Sequence, residues 1–375
     1  MKALRIGVFS ASLPRPGQKP GGVDVHIHRL ANRLVGRGHC VRVASFSPSP
    51  ADASYESVAM RPRGLGEHTL ARLTLVSAAF NLLDTSDLDV VHLHGDDWFY
   101  LRRRGVPTVR TFHGSALLEA RHATRARRRA RQLACFALEL AASRLATANY
   151  GLIPGDGTPY RVRGPLPIGV DPGGASDAAR SPNPTVLFVG TWEGRKRGQM
   201  LHDAFQRHVR PLVPEARLQM VCEEPVRAGS EGVEWMGAPG EARLAELYRQ
   251  AWVFCLPSSY EGFGLPYLEA MAQGAAVVAT PNPGARHVLA EGRDGVLVDP
   301  AGLGEAITWL LLDKRARLNL ARHGRERAQA FSWEAALDAH ERAYVDAIER
   351  HRGWRRAPVQ RGVLRRPIRS AKMDI

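Results

Sequence analysis

Along the chain, short runs rich in Val, Ile and Phe alternate with longer stretches whose apolar residues recur at helical spacing. That alternation predicts βαβ units and parallel sheets, an α/β fold class throughout, because a strand covered by helices on both faces reads as a continuous apolar run. In the first half, strands are expected at 4–10, 41–46, 89–93 and 108–112, with helices over about 23–37, 69–83 and 115–146. In the second half, strands are expected at 185–189, 217–222, 252–256, 275–279 and 295–298. Helices there start near Gly198, Glu241, Leu265, Ala285 and Leu303. The two halves are alike, and between them residues 154–184 are dense in Pro and Gly, which marks a linker. The expected division is a domain over 1–170, a domain over 171–331, a last helix over 332–352 with Ser332 as its N-cap, and a basic, disordered tail over 353–375.

A length of 375 residues suits two such domains. With 44% hydrophobic and 24% charged residues the composition is ordinary globular, which excludes a fibrous or wholly disordered chain. No stretch approaches the roughly 18 consecutive apolar residues of a spanning helix. The run from Leu4 to Phe9 is too short, and too soon followed by Pro14 and Pro16, for a signal peptide, so a cytoplasmic location is expected. Cys40, Cys135, Cys222 and Cys255 are widely spaced with no C-x-x-C, which argues against a disulfide framework or zinc ribbon. They are expected to be buried small hydrophobes.

The formal charge of +15 is concentrated. Ten arginines against Glu119 alone lie over 102–131, and eight arginines with Lys372 against Asp374 lie over 350–375, leaving the remainder nearly neutral. Arginine supplies 47 of the 52 cations, a bias that codon usage alone would produce, whereas lysines number five and make Lys196 conspicuous.

The chemistry concentrates where the run Trp252 to Leu256 ends and the segment Pro257 to Ala272 begins. Gly262 and Gly264 form a turn that meets a helix start, and Pro266 falls in the first turn, where a missing N–H leaves nothing unsatisfied. Free N–H groups at the positive end of a helix make an anion site suited to a diphosphate. Glu261 and Glu269 bracket that site, and two carboxylates are tolerable there if each meets a hydroxyl donor, as sugar and ribose provide. Arg195 and Lys196, in the loop after Phe188, Val189 and Gly190, supply fixed cations, which stabilise a departing diphosphate best when already in place in a water-poor cleft.

Glu261 and Glu269, with seven residues between them, within Glu261, Gly262, Phe263, Gly264, Leu265, Pro266 and Glu269, Ala270, Met271, Ala272, resemble the E-x7-E signature of the retaining glycosyltransferase family 4, which has the GT-B fold. The resemblance extends over nearly the whole chain. Gly21 and Gly22 with the helix ending at Arg37, Gly38 and His39 resemble the family's glycine loop and first helix. Phe112, His113 and Gly114 resemble its active-site histidine segment, and His94 lies in a similar run. The stretch from Pro167 to Asp171 resembles its interdomain segment, and Phe188 to Lys196 its diphosphate-binding loop. Two departures stand out. Thr191 occupies the place of a usual arginine, leaving Arg195 and Arg197 as alternative replacements, and a glutamate common near His287 is missing.

The resemblance implies two Rossmann-like domains facing each other across a cleft, with the C-terminal helix returning towards the N-terminal domain. It implies a nucleotide-diphosphate sugar, UDP- or GDP-linked, bound mainly by the second domain. The sugar would pass with retention to a hydroxyl of an acceptor held by the first domain, whether lipid, glycan or small metabolite, without a metal or other cofactor. By the same resemblance, His113, Glu261 and Gly22 fall at the reacting sugar, Arg195, Lys196 and the Gly264 and Leu265 backbone at the diphosphate, and Glu269 at the ribose. The sequence has no D-x-D at the carboxyl end of an expected strand, only the adjacent Asp96 and Asp97, and no His/Cys cluster of ligand spacing. Arg121, Arg125, Arg128 and Arg129 fall close to one face of the expected helix over 115–146, so 121–131 suits an anionic membrane surface as well as it suits solvent or acceptor. A sugar phosphorylase shares the fold and is the alternative enzyme. Nucleic-acid binding is not expected, because aromatic residues do not interleave with either basic cluster and no reader motif is present.

Overall fold

Strands that are apolar on both faces need helices on both sides, and the molecule meets this requirement twice. The structure is a computed structural model that describes residues 2–15, 21–60, 77–95, 97–101, 105–123, 125–154, 160–171, 173, 180–223 and 231–356. One sheet holds β1 (Arg5–Phe9), β2 (Cys40–Ser45), β3 (Glu56–Ala59), β4 (Val90–Leu93), β5 (Thr108–Thr111) and β6 (Ala148–Tyr150), in the order β3-β2-β1-β4-β5-β6. The other holds β7 (Thr185–Val189), β8 (Arg217–Val221), β9 (Val233–Trp235), β10 (Val253–Leu256), β11 (Ala276–Ala279) and β12 (Val296–Leu297), in the order β12-β11-β10-β7-β8-β9. The pairings are parallel in both. Each sheet therefore reverses its winding between its first and fourth strands, which opens a crevice at their carboxyl ends, the usual ligand position in such sheets. The loops after β1, β4, β7 and β10 end at those two crevices.

The expected Rossmann-like pair is present. Beyond it, β3, β6 and β9 are strands that the apolar pattern did not announce; all three are sheet edges, and β3 is largely exposed. In the first lobe, α1 (Gly22–Gly36) buries His26, Ile27, Leu30, Ala31 and Leu34, one helical face. The helix expected over 115–146 is instead a hairpin of α2 (Ala116–Arg121) and α3 (Ala126–Ser143). A continuous helix would hold Ala116 and Glu139 about 35 Å apart, whereas the Ala116 N–H donates to Glu139 Oε2 at 3.1 Å and Gln132 bonds Glu119 at 3.0 Å. These polar contacts fold the chain back. The helix expected over 69–83 falls mostly outside the described residues, as does the tail beyond 356; Phe80–Leu82 forms a 3₁₀ turn.

The second lobe carries α4 (Gly198–Ala204), α5 (Glu241–Gln250), α6 (Leu265–Ala272), α7 (Pro283–Val288) and α8 (Leu303–Leu312). A further helix, α9 (Lys314–Gln329), starts at once because Asp313 caps it, accepting the Ala316 N–H at 2.9 Å. Ser332 does cap the last helix, α10 (Trp333–Arg356), accepting the Ala335 N–H at 3.3 Å. That helix returns to the first lobe, where Trp333, Ala336, Leu337, Ala343, Tyr344 and Ala347 join the core with Ile6, Ile27 and Leu30. The chain thus passes between the sheets twice, and the passes meet: the Val170 N–H donates to the Phe331 carbonyl at 2.8 Å, and Val170 bridges Ser332. Cys135, Cys222 and Cys255 are buried, but Cys40 is exposed, since it opens β2 at the rim of the sheet. Among the described residues no helix is long and apolar enough to cross a membrane.

Trp333 fastens α10. Its ring stacks on His26 (centroids 5.8 Å apart), lies under the Arg33 guanidinium at 4.8 Å, and covers Gly169 so closely that a side chain there would overlap it. Trp333→Ala is expected to destabilise the first lobe by about 3 kcal/mol. Urea denaturation followed by circular dichroism would register this as a lowered midpoint; an unmoved midpoint would remove the fastening role.

Candidate active site

Lys196 Nζ lies 2.7 Å from Glu261 Oε1, and Arg195 Nη1 lies 2.9 Å from the same oxygen. The two cations come from the loop after β7 and the carboxylate from the loop after β10, neighbouring strands at the winding reversal. The loops are also tied by backbone, the Ser259 N–H donating to the Arg195 carbonyl at 2.8 Å. Burial by itself would raise the Glu261 carboxyl; Lys196 and then Arg195 outweigh it, so the group is held below the ordinary carboxylate value and stays ionised. Arg195 gains in turn, since Glu261 overcomes the desolvation of its guanidinium.

The Thr191 hydroxyl donates to the Glu193 carbonyl at 2.8 Å within the exposed loop. Arg197 adopts left-handed backbone (φ 55°) and faces a separate surface pocket with Trp192, Asp203, Arg207 and His208. Arg195 is therefore the arginine that reaches this site. Gly264 precedes α6 with φ 93°, a conformation that side chains disfavour, and a Cβ there would overlap the Tyr267 ring. The turn so formed puts Leu265 at the first position of α6.

Glu269, one turn further on, accepts the Tyr248 hydroxyl at 3.0 Å and lies 3.8 Å from Arg29 of α1, which also meets Glu241 at 3.3 Å. Burial raises its carboxyl above the ordinary value, and the opposing pull of Arg29 and Tyr248 does not cancel that. Tyr248 and Arg29 carry no local sequence signal; only the packing of α5 and α1 against the site reveals them. Gly22 is the exposed first residue of α1, with open space where a side chain would be.

His113 follows β5 and stands against the second lobe, for a side chain at Gly262 would overlap its carbonyl oxygen. Its Nε2 lies 2.9 Å from His94 Nδ1, so one ring donates and the other accepts. Behind this pair lie the buried rings of His26, His92 and His340. His92 is held by Tyr344 at 2.9 Å and Thr111 at 2.8 Å. Burial first, then His340, pushes His113 down to about 3, so its imidazole is neutral near pH 7 and acts as a hydrogen-bonding group. Asp97 forms a buried ion pair with Arg110 (Nε to Oδ2 2.8 Å); Asp96 lies outside the described residues. Among the described residues no group of three or more His, Cys, Asp or Glu is disposed to hold a metal ion.

The basic residues sit differently from the single face expected. Arg121 ends α2 and Arg125 immediately precedes α3, so the break between the helices separates them, while Arg127, Arg128, Arg129 and Arg131 are exposed along α3.

Residues 20–149 match the family model described as Glycosyltransferase Family 4, and residues 183–313 the one described as Glycosyl transferases group 1. The chain is 30% identical to "D-inositol 3-phosphate glycosyltransferase 1" of Catenulispora acidiphila, over 93% of this chain and 96% of that one. Among solved structures it resembles sucrose-phosphate synthase from Thermosynechococcus elongatus (TM-score 0.78, 21% identity, 92% of this chain and 99% of that one). It also resembles Anabaena Alr3699/HepE in complex with UDP-glucose (TM-score 0.67, 16% identity, 92% and 99%).

The depressed Glu261 carboxyl stabilises the fold above the ordinary carboxylate pKa, and that contribution is lost as pH falls through its folded value. Glu261→Gln is expected to lower stability by about 2 kcal/mol at pH 7. Wild type and variant then converge as the solution is acidified, which urea titrations at several pH values would reveal; a gap that stays constant with pH would refute the ionic account.

Proposed function

The chain belongs to glycosyltransferase family 4 and is a hexosyltransferase with the GT-B fold, and from that premise we propose that it moves a hexose from a nucleotide-diphosphate sugar to an acceptor hydroxyl with retention. The observation that carries this reading is the convergence of Arg195 and Lys196 on Glu261 beside the start of α6. The donor diphosphate takes the α6 amides and shares the two cations with Glu261, whose carboxylate is then directed at a sugar hydroxyl. Glu269 accepts the ribose hydroxyls. Charge develops on the departing diphosphate, and the cations and helix dipole are already in place to meet it. The departing oxygen helps to take the acceptor proton, with no enzyme nucleophile and no resident metal. His113, neutral and held by His94, hydrogen-bonds the sugar from the first lobe, and Gly22 leaves room where the lobes meet.

The named substrate of the Catenulispora relative supports a phosphorylated cyclitol as acceptor, a small anion that the basic first lobe attracts. The exposed arginines of α3, with Leu133 exposed beside them, support a peripheral contact with anionic membrane. Pelleting with anionic liposomes at low salt and release at high salt is the expected result; no pelleting at low salt removes that contact.

Calorimetry against UDP- and GDP-sugars tests the donor assignment. Glu269→Ala is expected to weaken donor binding about tenfold or more, while Lys196→Ala slows transfer by about 100-fold. Wild-type behaviour in both would discredit the roles. Because the raised Glu269 carboxyl must be ionised to accept ribose hydroxyls, donor affinity falls with acid already above the ordinary carboxylate pKa, and Glu269→Gln flattens that dependence.

A further inference from the structure

We propose that Tyr260 is a positioning residue that registers the histidine segment of the first lobe against the diphosphate loop of the second, an inference that rests on the site reading above. Tyr260 precedes Glu261 and is 3% exposed. Three parts of it face three different partners. Its backbone carbonyl accepts Arg195 Nη1 at 2.8 Å. Its hydroxyl accepts the Ser115 N–H at 3.1 Å, two residues beyond His113. Its ring stacks on His122, at the end of α2, with centroids 5.7 Å apart and planes 16° from parallel.

Ser115 is 1% exposed, so without the phenol its amide is a buried donor with nothing to bond, an arrangement folded chains avoid. Next in line, Gly262 lies on the His113 carbonyl with no room for a side chain, and a Cβ at Gly114 would stand 3.5 Å from the Tyr260 oxygen. Segments 113–115 and 260–262 therefore run in direct contact across the cleft, one from each lobe. A cation that grips the donor is bonded to one end of Tyr260, and the backbone that carries His113 is bonded to the other. Movement of Arg195 towards a diphosphate is thus transmitted to the placement of His113 through the single residue Tyr260, from its backbone carbonyl to its hydroxyl, with one partner on each lobe.

Amide-resolved hydrogen exchange on the full chain tests this, with UDP and GDP as probes. In wild type the Ser115 amide is expected to exchange slowly, and more slowly still with the nucleotide that binds. Tyr260→Phe keeps the ring and deletes the acceptor oxygen; Ser115 then exchanges about tenfold faster, the loss of one ordinary hydrogen bond, and nucleotide no longer slows it. Gly262→Ala, which wedges the loops apart through a different atom, gives the same result. Nucleotide affinity of Tyr260→Phe by calorimetry stays within about twofold of wild type, which a merely structural role in the donor loop would not allow. Equal Ser115 exchange in wild type and Tyr260→Phe, with and without nucleotide, would overturn the proposal. Failure of wild type to bind either nucleotide strikes the donor reading instead, and the exchange comparison in the free protein still decides the role of Tyr260.

Discussion

One buried carboxylate organises this molecule. Glu261 accepts an ammonium and a guanidinium from the neighbouring loop, and neither loop would hold its shape alone: two adjacent cations repel, and a buried carboxylate without a partner would take up a proton. The parallel order of the second sheet makes the meeting possible, since β7 and β10 are adjacent in space though more than sixty residues apart in sequence. A cluster of two cations and one anion is also only half-neutralised. It keeps a positive remainder beside the amide end of α6, and so attracts an anion without having to be rebuilt for it.

The strands buried on both faces were legible because their composition has one explanation: β7, β10 and β11 are nearly pure Val, Leu, Phe and Ala, which only a covered parallel strand would bury so completely. The edge strands lack that property. The Glu-Ser-Val-Ala run of β3 and the Val-Glu-Trp run of β9 are polar or mixed, and what makes them strands is a neighbour's backbone, which no local pattern records. The hairpin of α2 and α3 escaped notice for a similar reason. Its residues have helical propensity on both sides of the break, and the turn is dictated by Glu139 and Gln132 reaching back to α2.

The candidate site divides along the same line. Glu261, Glu269, Arg195, Lys196 and the turn at Gly264 were legible because they lie on two short segments with recognisable spacing. Their partners were not: Tyr248 and Arg29 come to the site on other elements, Tyr260 meets the first lobe only in the folded chain, and the histidines behind His113 are gathered from α1, β4 and α10. Of the two arginines that Thr191 left as alternatives, Arg195 meets Glu261 and the Tyr260 carbonyl, whereas Arg197 lines a surface pocket with Trp192 and Asp203.

The paired crossing at Val170 and Ser332 fixes how the lobes can move. Two lengths of backbone side by side permit rotation about one shared line and resist sliding along it or pulling apart. The Arg33 contacts with Asp171 and Trp333 lie close to that axis and survive a small swing, whereas separation grows in proportion to distance from it. A rotation about that line would act as a book does at its spine: the far margins would part widest, and the spacing of the two faces of the candidate site would follow a single angular coordinate.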